Sequence, residues 1–170
     1  MKRILFYTLL IFQAAVILLI AVQHYLINDY GETVKLLREK DSNSANYYYD
    51  DSDYVNIEYE INTISQDIWE IDEELNYQEK VYIVLKPDDS GIYHAVQARI
   101  DKPEAVGNRV VLPGRYKYSD EMLHEYYIHY DIEEINNNNN QYQLEDDEQW
   151  VITVNIAPWG QKSIATVESK

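Results

Sequence analysis

Residues 4–22 form an unbroken run of uncharged side chains, ILFYTLLIFQAAVILLIAV, in which Gln13 is the only strongly polar member. As an α-helix this run would extend roughly 28 Å, close to the ~30 Å hydrocarbon core of a bilayer. The run divides the chain into an anchor and a remainder. We predict a membrane anchor over 1–22, with a transmembrane helix over 4–22, a short juxtamembrane link over 23–30, and one exported domain over 31–170.

The charges around this run predict its orientation. Lys2 and Arg3 precede it, and the next basic residue is Lys35. Because cytoplasmic flanks carry the excess of basic residues, we expect the N-terminus inside the cell and the domain outside it. A cleaved signal peptide is the alternative, but its apolar core is usually shorter, about 7–15 residues, and ends in small residues. The segment around Ala21 and Val22 fits that cleavage pattern poorly, and both alternatives export the domain.

The composition excludes several classes of protein. The chain has 30 acidic and 14 basic side chains and a formal net charge of −16. The part after Arg3 has 12 basic against 30 acidic side chains, or −18. Such a domain is repelled by nucleic acid and by anionic lipid, so we expect no nucleic-acid partner. The absence of cysteine excludes disulfides, thiolate metal sites, a cysteine nucleophile and a lipoprotein anchor.

The remainder of the chain is dominated by strand patterns. Its 17 tyrosines and many β-branched residues favour strands. A turn rich in Pro, Asp and Gly at 87–91 predicts a hairpin, and the Pro-Gly-Arg sequence at 113–115 is expected to end a strand. Strands are predicted at 33–37, 54–61, 81–86, 92–100, 109–112, 126–132, 150–157 and 163–167. The fold class is therefore mostly β: one antiparallel β-barrel or β-sandwich-like domain with at most one or two short helices.

One amphipathic helix is predicted outside the N-terminal segment. Its apolar positions, Ile64, Ile68, Ile71 and Leu75, recur at helical spacing. Ser65 is the candidate N-cap, and Asp67 would carry its negative charge into the first turn.

The stretch 54–61 alternates more regularly than any other. Val55, Ile57, Tyr59 and Ile61 fall on one face of an extended chain, and Tyr54, Asn56, Glu58 and Glu60 fall on the other. This pattern predicts a half-buried strand, introduced by the acidic turn around Asp53. We expect Ile57 and Tyr59 in the core, and Asp53 accepting hydrogen bonds from backbone N–H groups of the turn.

No catalytic or cofactor motif stands out. Nucleotide-binding glycine loops, nucleophilic-serine motifs and paired metal-ligand spacings are absent from the sequence. Acidic clusters at 50–53 and 145–148 have the oxygen ligands that Ca²⁺ prefers, but they lack an EF-hand pattern. We therefore predict no metal site, no cofactor and no enzymatic activity. An exported hydrolase stays a lesser alternative, because carboxylate pairs such as Glu58 and Glu60 occur on strand faces.

The stretch around Asp53 resembles the signature of the GDYXXLXY family of membrane-anchored bacterial proteins. Asp53, Tyr54 and Tyr59 match it, whereas Ser52 and Ile57 stand where the family has glycine and leucine. The order of later segments agrees as well. The residues that correspond to family positions downstream are Gly114, Arg115, Tyr130, Glu133 and Glu145. The Asp-Pro-Arg stretch that precedes the family motif is replaced here by tyrosines at 47–49.

The resemblance implies an exported domain, tethered to the bacterial inner membrane as a single-pass protein with its C-terminal domain on the periplasmic side. It implies genomic neighbours that are multi-spanning membrane proteins, and it supplies no catalytic residues. We therefore hypothesise a non-enzymatic accessory domain that contacts a membrane partner. The alternative is a periplasmic module that binds a glycan or small molecule through aromatic side chains such as Trp69, Trp150 and Trp159.

Overall fold

The computed structural model describes residues 2–39, 54–55, 57–132, 135–136 and 149–169. Within these residues the one α-helix, α1, spans Lys2–Tyr30. It includes the segment 23–30, predicted as a juxtamembrane link. No glycine or proline interrupts 23–30, so the helix continues through it. It ends at Gly31, whose N–H donates to the carbonyl oxygen of Ile27 at 2.9 Å.

The surface of α1 is apolar in every direction. Residues 16–20 are all exposed, and at about 100° per residue five consecutive positions face all sides of a helix. Judged on the described residues, none of the helices has both the length and the apolarity needed to cross a membrane. The structure confirms an N-terminal helix but does not confirm the predicted transmembrane span.

The chain after α1 is built from strands. Within the described residues these are β1 (Glu32–Leu37), β2 (Tyr54–Val55), β3 (Thr63–Ser65), β4 (Lys80–Pro87), β5 (Tyr93–Arg99), β6 (Val110–Asp120), β7 (Glu125–His129), β8 (Ile135–Asn136), β9 (Trp150–Ile156) and β10 (Lys162–Ser169). Two 3₁₀ turns, Glu60–Asn62 and Gln66–Ile68, flank β3. The predicted mostly β class is confirmed, and most predicted strands agree with observed ones within a few residues.

The strands pair antiparallel in three sheets. The first has the order β1-β9-β10, the second pairs β2 with β8, and the third has the order β3-β7-β6-β4-β5. Two isolated bridges link these strands further. Lys35 of β1 bridges Ile92 beside β5, and Trp69, four residues after β3, bridges Ala98 of β5. Because Trp69 connects the β3 edge back to β5, the five-stranded sheet curls into a nearly closed barrel.

The predicted hairpin at 87–91 is confirmed. The Asp88 carboxylate accepts hydrogen bonds from the backbone N–H groups of Ser90 at 2.8 Å and Ile92 at 3.0 Å. Gly91 has a φ of +82°, which glycine adopts without strain. The hydrogen bonds from Ser90 and Ile92 hold the pKa of Asp88 well below its usual range. This turn therefore follows from local sequence alone.

The predicted strand end at 113–115 is wrong, because β6 runs straight through it. The backbone of Tyr116 exchanges hydrogen bonds with Glu79 and Gln78 next to β4. The backbone N–H and C=O groups of alternate β6 residues therefore point toward β4, and the backbone nitrogen of Pro113 points to the opposite side. On that side the pairing with β7 begins only at Arg115 and His129. Pro113 lacks an N–H at a position where no neighbouring strand needs one, so the strand tolerates it.

The predicted helix over 64–75 is also wrong. Ile64 lies in β3 opposite Tyr126 of β7, and a single 3₁₀ turn follows. Ile64 and Ile71 are buried in the core, and Trp69 and Leu75 pack against it. A twelve-residue helix is marginal on its own, and here tertiary packing uses the same apolar residues in extended backbone. The helical spacing predicted correctly which side chains are buried, but it did not predict their backbone conformation.

One continuous hydrophobic core joins the two larger sheets. Buried side chains come from β1 and β9 on one side and from β4, β6 and β7 on the other; they include Val34, Leu36, Ile83, Leu85, Leu112, Ile128, Ile152 and Val154. The residues after β2 contribute as well, through Ile57, Tyr59 and Ile61. The motif stretch therefore packs inside the barrel and not on its surface.

Candidate functional site

The motif stretch keeps its predicted alternation without being a strand. Tyr54 pairs with Asn136 in the short β2–β8 sheet. After it, Ile57 and Tyr59 are buried and Glu60 is exposed. Tyr59 forms an isolated β-bridge to Arg38, and the chain then enters the first 3₁₀ turn. The predicted single strand over 54–61 is thus wrong, although the burial it predicted is observed.

Asn62 connects this stretch to the barrel. Its side-chain oxygen accepts a hydrogen bond from the Tyr59 N–H at 2.7 Å, and its side-chain nitrogen donates to the Ile128 carbonyl at 2.7 Å. One amide side chain thus satisfies a backbone donor of the turn and a backbone acceptor of β7. Asn62 was not among the residues predicted from the sequence. The available signal was an amide three residues after Tyr59, where a capping side chain can reach back.

Tyr130 makes the second connection to the same stretch. It is 3 % exposed, and its hydroxyl donates to the Ile61 carbonyl at 2.7 Å. Burial raises the pKa of Tyr130 and of Tyr59 well above the usual value, so both hydroxyls stay protonated. Gly114 lies against this ring: a Cβ there would come 2.5 Å from Ile128 Cγ2 and 3.0 Å from Tyr130 Cε1.

We call Tyr59, Asn62, Gly114 and Tyr130 the tyrosine cluster. It brings together three of the family-matched positions, Tyr59, Gly114 and Tyr130, around one buried hydrogen-bond network. Three other predicted site residues, Asp53, Glu133 and Glu145, lie outside the described residues, so the predicted roles for them stay predictions. The described network is internally satisfied, and its geometry is that of a structural support.

Arg115 lies on the opposite face of the sheet from Gly114. It pairs directly with Lys80 of β4 on one side and with His129 of β7 on the other. Three basic side chains therefore form one row across three neighbouring strands. Like charges directly opposite one another destabilise a sheet. The row is unexpected in a chain with a net charge of −16.

Asp131 is the carboxylate that the structure places beside this row. Its oxygens lie 3.5 Å from Arg115 Nε and 3.5 Å from His129 Nε2. The Asp131 side chain is 63 % exposed, so these are loose surface pairs in contact with water. Exposed pairs of this kind contribute little to stability, about 0–1 kcal/mol.

Lys162, the first residue of β10, adds a buried cation. It is only 5 % exposed. Burial lowers the pKa of Lys162; the charge of Asp131 acts against this shift, and the nearby charges of Arg115 and Lys80 add to it. A lysine with so little exposed surface is costly in proportion to the water that its charge has lost.

Two further side chains complete this surface. Lys117 follows in β6 and, after burial, is the main charge that lowers the pKa of His129. Lys80 places its Nζ 4.9 Å from the centre of the Tyr82 ring, a cation–π distance that holds it along β4. We call Lys80, Arg115, Lys117, His129 and Lys162 the cationic cluster. Its arrangement is suited to binding an anionic group.

Exposed aromatic side chains were the predicted alternative site. Trp69 is already occupied on one face, because it stacks on Tyr126 with ring centres 3.9 Å apart and an interplanar angle of 2°. Trp159, in the turn before β10, is 47 % exposed. Tyr118 and Tyr127 stack at 4.4 Å on the outer surface. Burial and the Glu125 carboxylate raise the pKa of Tyr127 to about 12.

In the described part of the chain, no three His, Asp or Glu side chains lie close enough together to hold a metal ion. His94 contacts two carboxylates, those of Asp88 at 3.3 Å and Glu60 at 3.6 Å. All three of these side chains are substantially exposed.

Comparison with known proteins gives one match. A model of the GDYXXLXY protein family matches residues 13–167, which is most of the chain. No curated protein and no solved structure matches. The matched range includes both the tyrosine cluster and the cationic cluster.

Proposed function

The chain belongs to the GDYXXLXY protein family, and from this premise we propose that it is a non-enzymatic accessory domain attached to a membrane by α1. The domain would act by contacting a membrane partner, such as a multi-spanning protein of the bacterial inner membrane. The proposal rests on one observation above all: α1 presents large apolar side chains on every side.

The exposed apolar surface of α1 is too large for a helix in water. Soluble proteins rarely expose continuous apolar patches above a few hundred Å². Here the exposed side chains include Phe6, Leu9, Phe12, Ile17, Leu18, Leu19 and Ile20. Among the described side chains, Ile27 near the end of α1 is buried, and the helix meets β9 there. The rest of the helix requires lipid or an apolar protein surface.

The charges before the apolar run support an orientation. Lys2 and Arg3 favour the cytoplasmic side, which leaves the β domain on the periplasmic side of a single-pass protein. A domain tethered in this way acts close to the membrane, and multi-spanning membrane proteins are the partners within its reach.

Membrane attachment is tested by fractionating cells that express the full-length protein. We expect the protein in the membrane pellet after an alkaline carbonate wash. Leu10→Glu combined with Ile17→Glu should release it, because two charges at exposed positions of α1 oppose burial in lipid. Val106→Glu, at an exposed apolar position of the β domain, is the matched control and should stay in the pellet. Wild-type protein in the wash supernatant would contradict the proposal.

Orientation and partner require two further measurements. Protease added to spheroplasts should digest the β domain without lysis; protection until lysis would reverse the orientation. Cross-linking of the full-length protein in its native membrane, followed by pull-down and mass spectrometry, should enrich one multi-spanning protein. The Leu10→Glu, Ile17→Glu variant should lose that protein, while Val106→Glu should keep it.

A second candidate function is a periplasmic ligand-binding module. The exposed face of Trp159 favours it, since sugar rings stack on exposed indoles. Glycan addition should then quench tryptophan fluorescence, and Trp159→Phe should remove the quenching. An unchanged spectrum across a panel of envelope glycans would leave the accessory domain as the better proposal.

A further inference from the structure

The cationic cluster lies at the end of the barrel from which α1 leaves. Gly31 ends the helix, and Glu32 begins β1 opposite Ile156 of β9. On the other side of β9, Ile156 pairs with Lys162 of β10. Lys162 is thus two strand spacings, roughly 10 Å, from the point where the helix joins the sheet. If α1 lies in a membrane, this end of the domain faces the membrane surface.

The charge distribution at this end differs from that of the whole chain. Four of the 14 lysine and arginine residues lie together here, with Lys80 and Arg115 near Lys162 and with Lys117 near His129. Among the described residues, the Asp131 carboxylate acts on both Lys162 and His129. With His129 neutral, this local group has a charge of +3. Acidic side chains more than about 8–10 Å away are largely screened at physiological salt. Near the cluster its own charges therefore weigh more than those of distant acidic side chains.

Two features of the cluster are costly unless an anion binds. Lys80 and Arg115 carry like charges directly opposite one another on adjacent strands. Lys162 is 5 % exposed, and its burial opposes its charge. Structural cations are normally placed apart or paired with carboxylates. An anionic group delivered from outside would relieve both features at once.

We propose that the cationic cluster binds the phosphate groups of anionic lipid head groups at the surface of the membrane to which α1 attaches. This inference rests on the proposed function, because it needs the membrane at that end of the domain. Arg115 supplies a planar fork that matches phosphate oxygens, and Lys80 and Lys162 flank it as point charges. The loose pairs of Asp131 leave Arg115 accessible to a stronger anion. An excess of +3 accommodates more than one singly charged phosphodiester.

The inference corrects an expectation drawn from composition. The net charge predicts that anionic lipid repels the domain, and for most of its surface that stays the prediction. At the end near α1 the local charge has the opposite sign. The result is an oriented domain, with cations toward the membrane and the acidic surface away from it.

The test uses purified full-length protein in dodecyl maltoside micelles, where the detergent covers α1. Thermal unfolding is followed while dihexanoyl phosphatidylglycerol, dihexanoyl phosphatidylcholine or inorganic phosphate is added at constant ionic strength. A ligand that binds the folded state raises the Tm, and the rise grows with the logarithm of the ligand concentration relative to its Kd. We expect phosphatidylglycerol to raise the Tm, with the other two at least about tenfold weaker. Phosphatidylcholine is weaker because its choline cation opposes the cluster.

Charge-neutralising variants locate the site. Arg115→Gln and Lys80→Gln, both at exposed positions, should each weaken phosphatidylglycerol binding about tenfold, the loss of one charge-assisted hydrogen bond. Lys86→Gln, at an exposed position at the far end of β4, is the matched control and should change binding less than about twofold. Each variant is first checked for an unchanged melting curve without lipid.

Three results would overturn the inference. They are equal binding of phosphatidylcholine and phosphatidylglycerol, inorganic phosphate as strong as lipid, and Arg115→Gln binding as well as Lys86→Gln. Equal strength of inorganic phosphate would make the cluster a site for a free anion. Because detergent replaces the membrane here, this failure is separate from failure of membrane attachment, which the carbonate wash reports.

Discussion

The two faces of the β6–β7 pair differ in the contacts that neighbouring residues make: those on the inner face are buried and hydrogen-bonded, and those on the outer face are charged or basic and more exposed. Gly114, Ile128 and Tyr130 point inward and form a closed, dry network with Asn62 and Ile61. Each of them is followed in sequence by a charged or basic residue on the outer face, namely Arg115, His129 and Asp131. Inside, the hydrogen bonds measure 2.7 Å. Outside, the closest charged atoms are 3.5 Å apart.

This difference separates stability from binding. On the inner face, no described buried side-chain nitrogen or oxygen lacks a hydrogen-bond partner, so its residues maintain the barrel. The outer face contains the like charges of Lys80 and Arg115 directly opposite one another and the mostly buried Lys162, so it gains little from its own contacts. If the comparison is right, substitutions inside should change the free energy of unfolding strongly. Substitutions one residue away should change it little.

The largest expected effect is that of Tyr130→Ala. It removes a buried ring and leaves the Ile61 carbonyl without its donor, and we expect a loss of about 3–5 kcal/mol in the free energy of unfolding. Urea denaturation of the full-length protein in detergent measures it. Tyr77→Ala, at an exposed tyrosine, is the control and should stay within about 0.5 kcal/mol. Equal effects of the two variants would remove the inner network as a source of stability.

Gly114→Ala should have the next largest effect. The new Cβ would approach Ile128 Cγ2 to 2.5 Å, so side chains of β7 must move, at a cost of about 2–3 kcal/mol. The loss should shrink when Gly114→Ala is combined with Ile128→Ala, because alanine lacks the Cγ2 methyl that the new Cβ would meet. Additive losses in this double-mutant cycle would show that the two residues do not compete for space.

Asn62→Ala tests the amide that ties the motif stretch to β7. It leaves the Tyr59 N–H and the Ile128 carbonyl without partners, which should cost about 1–2 kcal/mol. Asn62→Asp should recover part of this loss, since a carboxylate can still accept from Tyr59 but cannot donate to Ile128. Exposed Asn108→Ala serves as the comparison and should be silent. If Asn62→Ala also leaves the free energy of unfolding unchanged, water replaces the hydrogen bonds of the amide.

On the outer face, His129 predicts a modest pH dependence. Burial, helped by Lys117, lowers the pKa of His129 below its ordinary value of 6.5. As the pH falls through 6.5, His129 binds a proton in the unfolded chain before it does so in the folded chain. The folded state therefore loses stability between pH 6.5 and the lower pKa of folded His129. His129→Gln should therefore show a flatter stability profile between pH 7 and pH 5. Because His129 is partly exposed, the difference should stay below about 1 kcal/mol. A steeper profile for the variant would mean that Asp131 outweighs burial.

The smallest effect is expected for Arg115→Gln. Removing it breaks a loose pair with Asp131 but also relieves repulsion from Lys80, so the stability should change by less than about 0.5 kcal/mol. The same variant is expected to weaken lipid binding about tenfold. A loss above about 2 kcal/mol would show that Arg115 has a structural role. The predicted difference in stability between outer-face and inner-face substitutions would then be absent.

The sequence predicted burial better than conformation. Ile57, Tyr59 and Ile61 are inside, as their alternation requires, but the backbone turns into a 3₁₀ turn because Asn62 captures the Tyr59 N–H. Ile64 and Ile71 are buried as well, although the helix that their spacing suggested is absent. Hydrophobic spacing reports which side chains leave water. It does not report which strand is available to pair, and pairing with β7 decided the backbone there.

The two clusters differed in how much could be predicted. Gly114 and Tyr130 were found because they match a family pattern, but their contact depends on β6 continuing through Pro113. The row of Lys80, Arg115 and His129 was not predicted, because 49 positions separate its ends and only the strand register aligns them. Lys162 gave no signal either: a single lysine after a turn normally indicates exposure, and its burial comes from the packing of two sheets.

The junction between α1 and β1 has a mechanical consequence. A single residue, Gly31, separates the helix from the sheet, and a Cβ at that position would lie 2.3 Å from the Ile27 oxygen. With Ile27 buried and β1 paired along its whole length with β9, the joint has almost no slack. The helix and the barrel are therefore joined rigidly and not through a flexible linker. Any tilt of α1, imposed by a thinner bilayer or by a neighbouring protein, would rotate the whole barrel through the same angle.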